Sequence, residues 1–104
     1  MEAKKVLIWL TKTEHMAKRT LTIINKLGLH ARAAARFVQV ASGFECDISV
    51  VHSSKEVSGK SIMGMMMLAA GKGTSVHIIA NGKDEETALN KLEELITTRF
   101  GESE

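Results

Sequence analysis

Polar and apolar residues alternate from Arg19 to Ile24, with Leu21 and Ile23 on one side and Thr20 and Thr22 on the other. That period of two is expected of a half-buried strand. Asn25, Lys26 and Gly28 break the alternation, and apolar positions return at helical spacing at Ala34, Phe37, Val38 and Ala41, with Gly43 placed as a left-handed stop. Cys46, Ile48 and Val50 alternate with Asp47, Ser49 and Val51, and a turn at His52 to Lys55 leads into a brief strand from Glu56 to Ser58. This predicts a hairpin. Lys60 to Leu68 opens with Ser61, a good N-cap residue, and continues as one short segment too hydrophobic all round for an ordinary surface helix. Val76, Ile78 and Ala80 mark another strand, ended by the turn-favouring pair Asn81-Gly82. In the last helix Asp84, Glu85 and Glu86 crowd the first turn, Leu89, Leu92, Leu95 and Ile96 form the buried stripe, and Arg99 with Gly101 marks the end. The order is therefore strand, helix, strand, strand, helix, strand, helix. Short strands joined by a tight turn predict an α+β domain rather than an alternating parallel one.

Composition narrows the class. The chain has 104 residues, 44% of them hydrophobic and 25% charged, enough for one domain with its own core. A formal net charge of +2 without any run of five like charges gives no electrostatic case for nucleic acid or a membrane surface. An RNA-recognition sheet would stack bases on aromatic residues. Here tyrosine is absent, and Phe37, Phe44 and Phe100 fall in helices or at their ends. Cys46 is the only cysteine, so an internal disulfide is impossible, and at an inward strand position it reads as a small hydrophobe. A reducing, cytoplasmic setting is expected. The apolar run Val6 to Leu10 is too short for a membrane span or a signal-peptide core.

The chemistry concentrates in Gly28-Leu29-His30-Ala31-Arg32-Ala33-Ala34, where a strand-like segment gives way to a helical one. A histidine at a helix N-terminus meets backbone N–H groups without intrahelical partners and the positive end of the macrodipole. A phosphoryl group carried on the ring would find donors ready, and the dipole disfavours a further positive charge on the free imidazole, leaving a nitrogen lone pair to attack phosphorus. Arg32 adds a planar, permanently charged fork suited to phosphoryl oxygens. The plainer reading of the same residues is a helix-capping histidine followed by a solvated arginine. His15, His52 and His77 form no pair at metal-ligand spacing, and neither Cys-x-x-Cys nor His-x-x-x-His occurs, so no metal or cofactor is expected.

Two segments, Asn25-Lys26-Leu27-Gly28-Leu29-His30-Ala31-Arg32 and Lys60-Ser61-Ile62-Met63-Gly64, together with their separation and the surrounding elements, resemble the HPr-type phosphocarriers of the bacterial phosphoenolpyruvate-dependent phosphotransferase system. The resemblance covers roughly residues 17–100, with residues 1–16 expected to be an N-terminal extension and 101–104 a C-terminal tail. Met16 is an alternative initiator. A genuine extension would instead use Val6 to Leu10, with Trp9, as an extra strand or a docking segment. The resemblance implies an open-faced β-sandwich, a four-stranded antiparallel sheet covered on one face by three helices.

It also implies roles. His30 is the phosphoryl acceptor and donor, Arg32 stabilises the phosphate, Ser61 is a regulatory phosphorylation site, and Ile62, Met63 and Met66 form an apolar partner-binding patch. The implied partners are enzyme I, enzyme IIA-type domains and a serine kinase/phosphorylase acting on Ser61, for a monomer that neither binds nucleic acid nor inserts in a membrane. The protein would be a phosphoryl carrier rather than an independent turnover enzyme. By residue type alone, Ser61 is a helix cap and the methionines are core. Gly64 reads either as a point of close backbone approach or as a tolerated helix glycine. A phosphate on Ser61 would add roughly −2 of charge beside the patch and repel the donor. The chain departs from the family at Ala33, where proline is usual. A helix start tolerates either, and alanine leaves one more free N–H near the site. The sugar and nitrogen branches of the family both remain open, as does a regulatory module whose partner binding depends on phosphorylation of His30 or Ser61 without onward transfer.

Overall fold

The computed structural model describes residues 16–104; the readings of Val6 to Leu10 and of the chain's start lie outside the described residues. The elements run β1 (Met16–Thr22), α1 (Ala31–Ala41), β2 (Asp47–His52), β3 (Lys55–Ser58), α2 (Ile62–Met67), β4 (Ser75–Asn81) and α3 (Glu85–Thr97), closed by a 3-10 turn at Arg99–Gly101. The strands form one antiparallel sheet in the order β1-β4-β2-β3.

Alternation sets the two faces. Ile48 and Val50 of β2 and Val76, Ile78 and Ala80 of β4 are buried, and they join Phe37 of α1, Met65 of α2 and Leu89, Leu92 and Ile96 of α3 in a single core. The opposite face carries Thr20, His77 and Ser49 on neighbouring strands, with Thr20 Oγ1 2.8 Å from His77 Nδ1. Polar pairs of this kind suit a face left to solvent. The layout is the expected open-faced sandwich.

Differences from the sequence reading are local. β1 starts three residues earlier, at Met16, and stops at Thr22. Ile23 is buried beyond the strand end, where its N–H donates to Thr74 and its carbonyl accepts from Gly73. Gly43 is not left-handed: α1 closes with Ser42 in ordinary helical geometry, donating to Val38. The left-handed positions lie elsewhere, among them Ser53 and Ser54, whose φ of 49° and 70° form the two-residue hairpin turn between His52 and Lys55. Asp84 caps a neighbouring segment rather than its own helix, its carboxylate accepting the N–H groups of Glu45 at 2.8 Å and Cys46 at 2.9 Å.

Candidate functional site

Between β1 and α1 the chain must turn sharply and still present the first turn of α1 to solvent. Gly28 makes the turn with φ +67°, and a Cβ there would stand 2.6 Å from the Ala70 carbonyl oxygen. Only glycine combines that backbone with so close an approach. The next residue fixes the register, because Leu29 N–H donates to the same Ala70 oxygen at 2.9 Å. Asn25 braces the loop from inside: fully buried, it donates through Nδ2 to the Gly28 carbonyl at 2.9 Å.

His30 follows as the N-cap of α1, in extended backbone geometry (φ −77°, ψ 179°). Its Nδ1 accepts the backbone N–H of Arg32 at 3.3 Å, while its Nε2 lies 2.5 Å from Glu102 Oε2. A carboxylate only accepts, so the neutral ring carries its proton on Nε2 and its lone pair on Nδ1, facing the helix start. The N–H groups of Ala31, Arg32 and Ala33 belong to the first turn and have no intrahelical acceptor. Arg32 is exposed and lines the same open concavity as His30. Among the described residues its guanidinium makes no hydrogen bond.

The other wall of the concavity is the C-terminal segment, which the sequence presents only as a tail. Arg99, Phe100 and Gly101 take φ of 58°, 56° and 79°, a run of left-handed residues that folds the chain back toward α1. Phe100 is fully buried and its carbonyl accepts from Arg36 Nη1, which holds that reversal. The return places Glu102 against His30 and lets Glu104 accept from the Lys26 N–H at 2.5 Å. Glu102 Oε1 also accepts from Asn25 Nδ2 at 3.0 Å. Burial alone would raise the Glu102 carboxyl, but the Asn25 amide, His30 and the nearby Arg32 charge outweigh it and hold the group below the usual carboxylate range. Glu102 and Asn25 are the site residues that sequence reasoning missed. Asn25 was visible as a strand breaker and as the first residue of the family-like segment, without a role of its own, and no local pattern connects Glu102 to a ring 72 residues away.

Ser61 caps α2, its Oγ accepting the Gly64 N–H at 3.0 Å. Gly64 is a point of close approach, since a Cβ there would meet Val57 Cβ at 3.1 Å. On α2 only Met65 is buried; Ile62, Met63 and Met66 are exposed, as is Met67, which the sequence did not single out. Together these exposed side chains form an apolar patch on one short helix. These residues lie outside the His30 concavity, but they are coupled to it, because α2 packs on α1 and Ala70, just beyond α2, holds the Gly28–Leu29 turn.

Together these features amount to an imidazole nitrogen at a helix N-terminus, a guanidinium without a partner among the described residues, an open approach and a flanking apolar surface. That arrangement suits reversible anion transfer between macromolecules. Among the described residues no cluster of three metal-ligating side chains occurs, and no helix is long and apolar enough to cross a membrane.

A family model described as "PTS HPr component phosphorylation site" (PTS-HPr) matches residues 17–98. The chain is 58% identical over 85 residues to the phosphocarrier protein HPr of Pseudomonas aeruginosa, spanning 81% of this chain and 94% of that protein. It is 38% identical over 86 residues to the phosphocarrier protein NPr of Shewanella violacea, spanning 83% and 94%. Among solved structures, HPr from Thermoanaerobacter tengcongensis superposes with a TM-score of 0.82 at 48% identity, covering 85% of this chain and 99% of that one.

Proposed function

The chain belongs to the HPr family and is a phosphocarrier of the phosphotransferase system, and from that premise we propose that His30 Nδ1 is the atom that takes and gives up the phosphoryl group. The observation that carries this reading is the position of Nδ1, which faces the open first turn of α1 and accepts the Arg32 N–H, while Nε2 faces the Glu102 carboxylate. Attack by that lone pair forms the P–N bond as the donor's bond to phosphorus breaks, and the electron pair leaves with the donor. The Ala31 and Ala33 N–H groups, the Arg32 N–H released once Nδ1 bonds phosphorus, and the Arg32 guanidinium then stabilise the phosphoryl oxygens. Onward transfer reverses the roles, and His30 leaves as a neutral ring. An open site fits this cycle, since the phosphate must be released to a partner as readily as it was accepted.

Enzyme I, charged by phosphoenolpyruvate, is the donor, and an enzyme IIA-type domain is the acceptor. Both use the same surface of Ile62, Met63 and Met66, where flexible side chains adapt to two partners. Ser61 is the regulatory site: phosphorylation there by a serine kinase adds charge at the edge of this surface without removing the helix cap. The carrier works as a cytoplasmic monomer through a domain of residues 17–100, with Gly101–Glu104 laid against it.

The reading is tested by reconstitution with enzyme I, phosphoenolpyruvate and an enzyme IIA domain. Label is expected on the parent protein and then on the IIA domain, none on His30→Ala, and a rate at least roughly tenfold lower for Ser61→Asp, the size of one like-charge contact. A parent protein that accepts phosphate but never passes it on would instead be a regulatory module.

A further inference from the structure

We infer that Glu102 is a positioning residue for phosphoryl transfer: through its hydrogen bond to Nε2 it selects the tautomer in which Nδ1 is the nucleophile, and it balances the charge the ring acquires. The inference rests on His30 being the acceptor.

The contact is built rather than incidental. The chain reverses through two non-glycine residues in left-handed geometry, a conformation that is costly and persists only where its surroundings enforce it. Here the enforcement comes from the buried Phe100 ring, from Arg36 donating to the Phe100 carbonyl, and from Arg99 Nη1 donating to Ser103 O at 3.3 Å. Lys26 N–H, donating to Glu104 O, pins the far end. Between these anchors Glu102 is oriented on both oxygens, Oε1 by the buried Asn25 amide and Oε2 by the imidazole. A base oriented by a third group in this way fixes the tautomer of the imidazole it faces.

The chemistry follows from proton bookkeeping. When Nδ1 attacks with a proton already on Nε2, the product ring is N-phosphorylated on one side and protonated on the other, and so carries a positive charge. The carboxylate at Nε2 lies opposite that charge, and no proton has to move during transfer. When phosphate leaves, the electron pair of the P–N bond returns to Nδ1 and the proton stays on Nε2, so the ring departs neutral. With the proton on Nδ1 instead, the lone pair would face Glu102 and the helix N-terminus would meet an N–H.

The test uses the full chain and reads the His30 ring tautomer by nitrogen NMR without any phosphoryl donor, then the initial rate of phosphorylation by enzyme I. In the parent protein the Nε2–H tautomer should dominate. Glu102→Ala should mix the two tautomers and lower the rate about tenfold, while Glu104→Ala, which removes a neighbouring tail carboxylate that does not touch His30, leaves the tautomer as in the parent. An unchanged tautomer in Glu102→Ala, or a shifted tautomer with an unchanged rate, overturns the inference while leaving His30 as the acceptor. A parent protein that takes no phosphate on His30 overturns the acceptor reading and this one with it.

Discussion

Arg32 and Glu102 bring opposite charges to the concavity that holds the His30 imidazole, and the proposed cycle gives them separate tasks. Arg32 stands on the exposed first turn of α1 and faces the space a phosphoryl group would fill, whereas Glu102 engages the far nitrogen of the ring. Because the Arg32 guanidinium holds no partner among the described residues, Arg32→Ala should leave thermal stability unchanged. It should slow phosphorylation by roughly 10²-fold, the order seen when one charge-stabilising donor is removed from a transition state. A rate assay beside a melting curve separates the two effects, and a fall in stability equal to the loss in rate would contradict this role. The placement of His30 and Arg32 at a helix start was legible in the sequence because it is local, a ring and a guanidinium two residues apart where a strand-like pattern gives way to a helical one. Glu102 was not, because its place depends on left-handed residues that no glycine announces at positions 99 and 100 and on a ring packed far from it in sequence.

Elements were legible wherever one face is buried. The alternation of β2 and β4 and the apolar stripe of α3 match the observed core, with Leu95 only partly buried. The ends of elements were less so. α1 stops without a left-handed glycine because Ser42 stays helical, and the tight link is instead Gly28, which joins the His30 loop to the segment after α2. Gly28→Ala combines a left-handed φ with a Cβ 2.6 Å from a carbonyl oxygen. It should cost about 2 kcal/mol or more by denaturant unfolding. Any folded fraction should also phosphorylate poorly, because the loop cannot hold His30 at the N-cap. A variant with parental stability would show that the turn has an alternative conformation.

One carboxylate ties two distant parts of the chain, the start of α3 and the start of β2. Asp84 is held below its ordinary value of 3.8 chiefly by the Glu45 N–H it accepts, with the Cys46 contacts adding to this and partial desolvation opposing it. A folded-state pKa lowered in this way contributes stability that is present above the unfolded value and lost as the pH falls through the folded one. Asp84→Asn should therefore melt at a lower temperature than the parent at neutral pH, with the gap beginning to close below about pH 4, the unfolded value, and gone once the pH has fallen through the lowered folded value. A gap independent of pH would assign the effect to shape instead of charge. Beside it, burial and then the Asp84 contact push the Cys46 thiol up to about 11, so the one cysteine is a packed hydrophobe at neutral pH, as its inward strand position suggested.

Nitrogen-coupled phosphorus NMR of the histidine-labelled protein, after incubation with phosphoenolpyruvate and enzyme I, reads directly which ring atom carries the phosphate. Transfer to Nδ1 requires a single acid-labile phosphohistidine signal, coupled to Nδ1 of His30 and absent from His30→Ala. A signal coupled to Nε2, or one that survives His30→Ala, would contradict it.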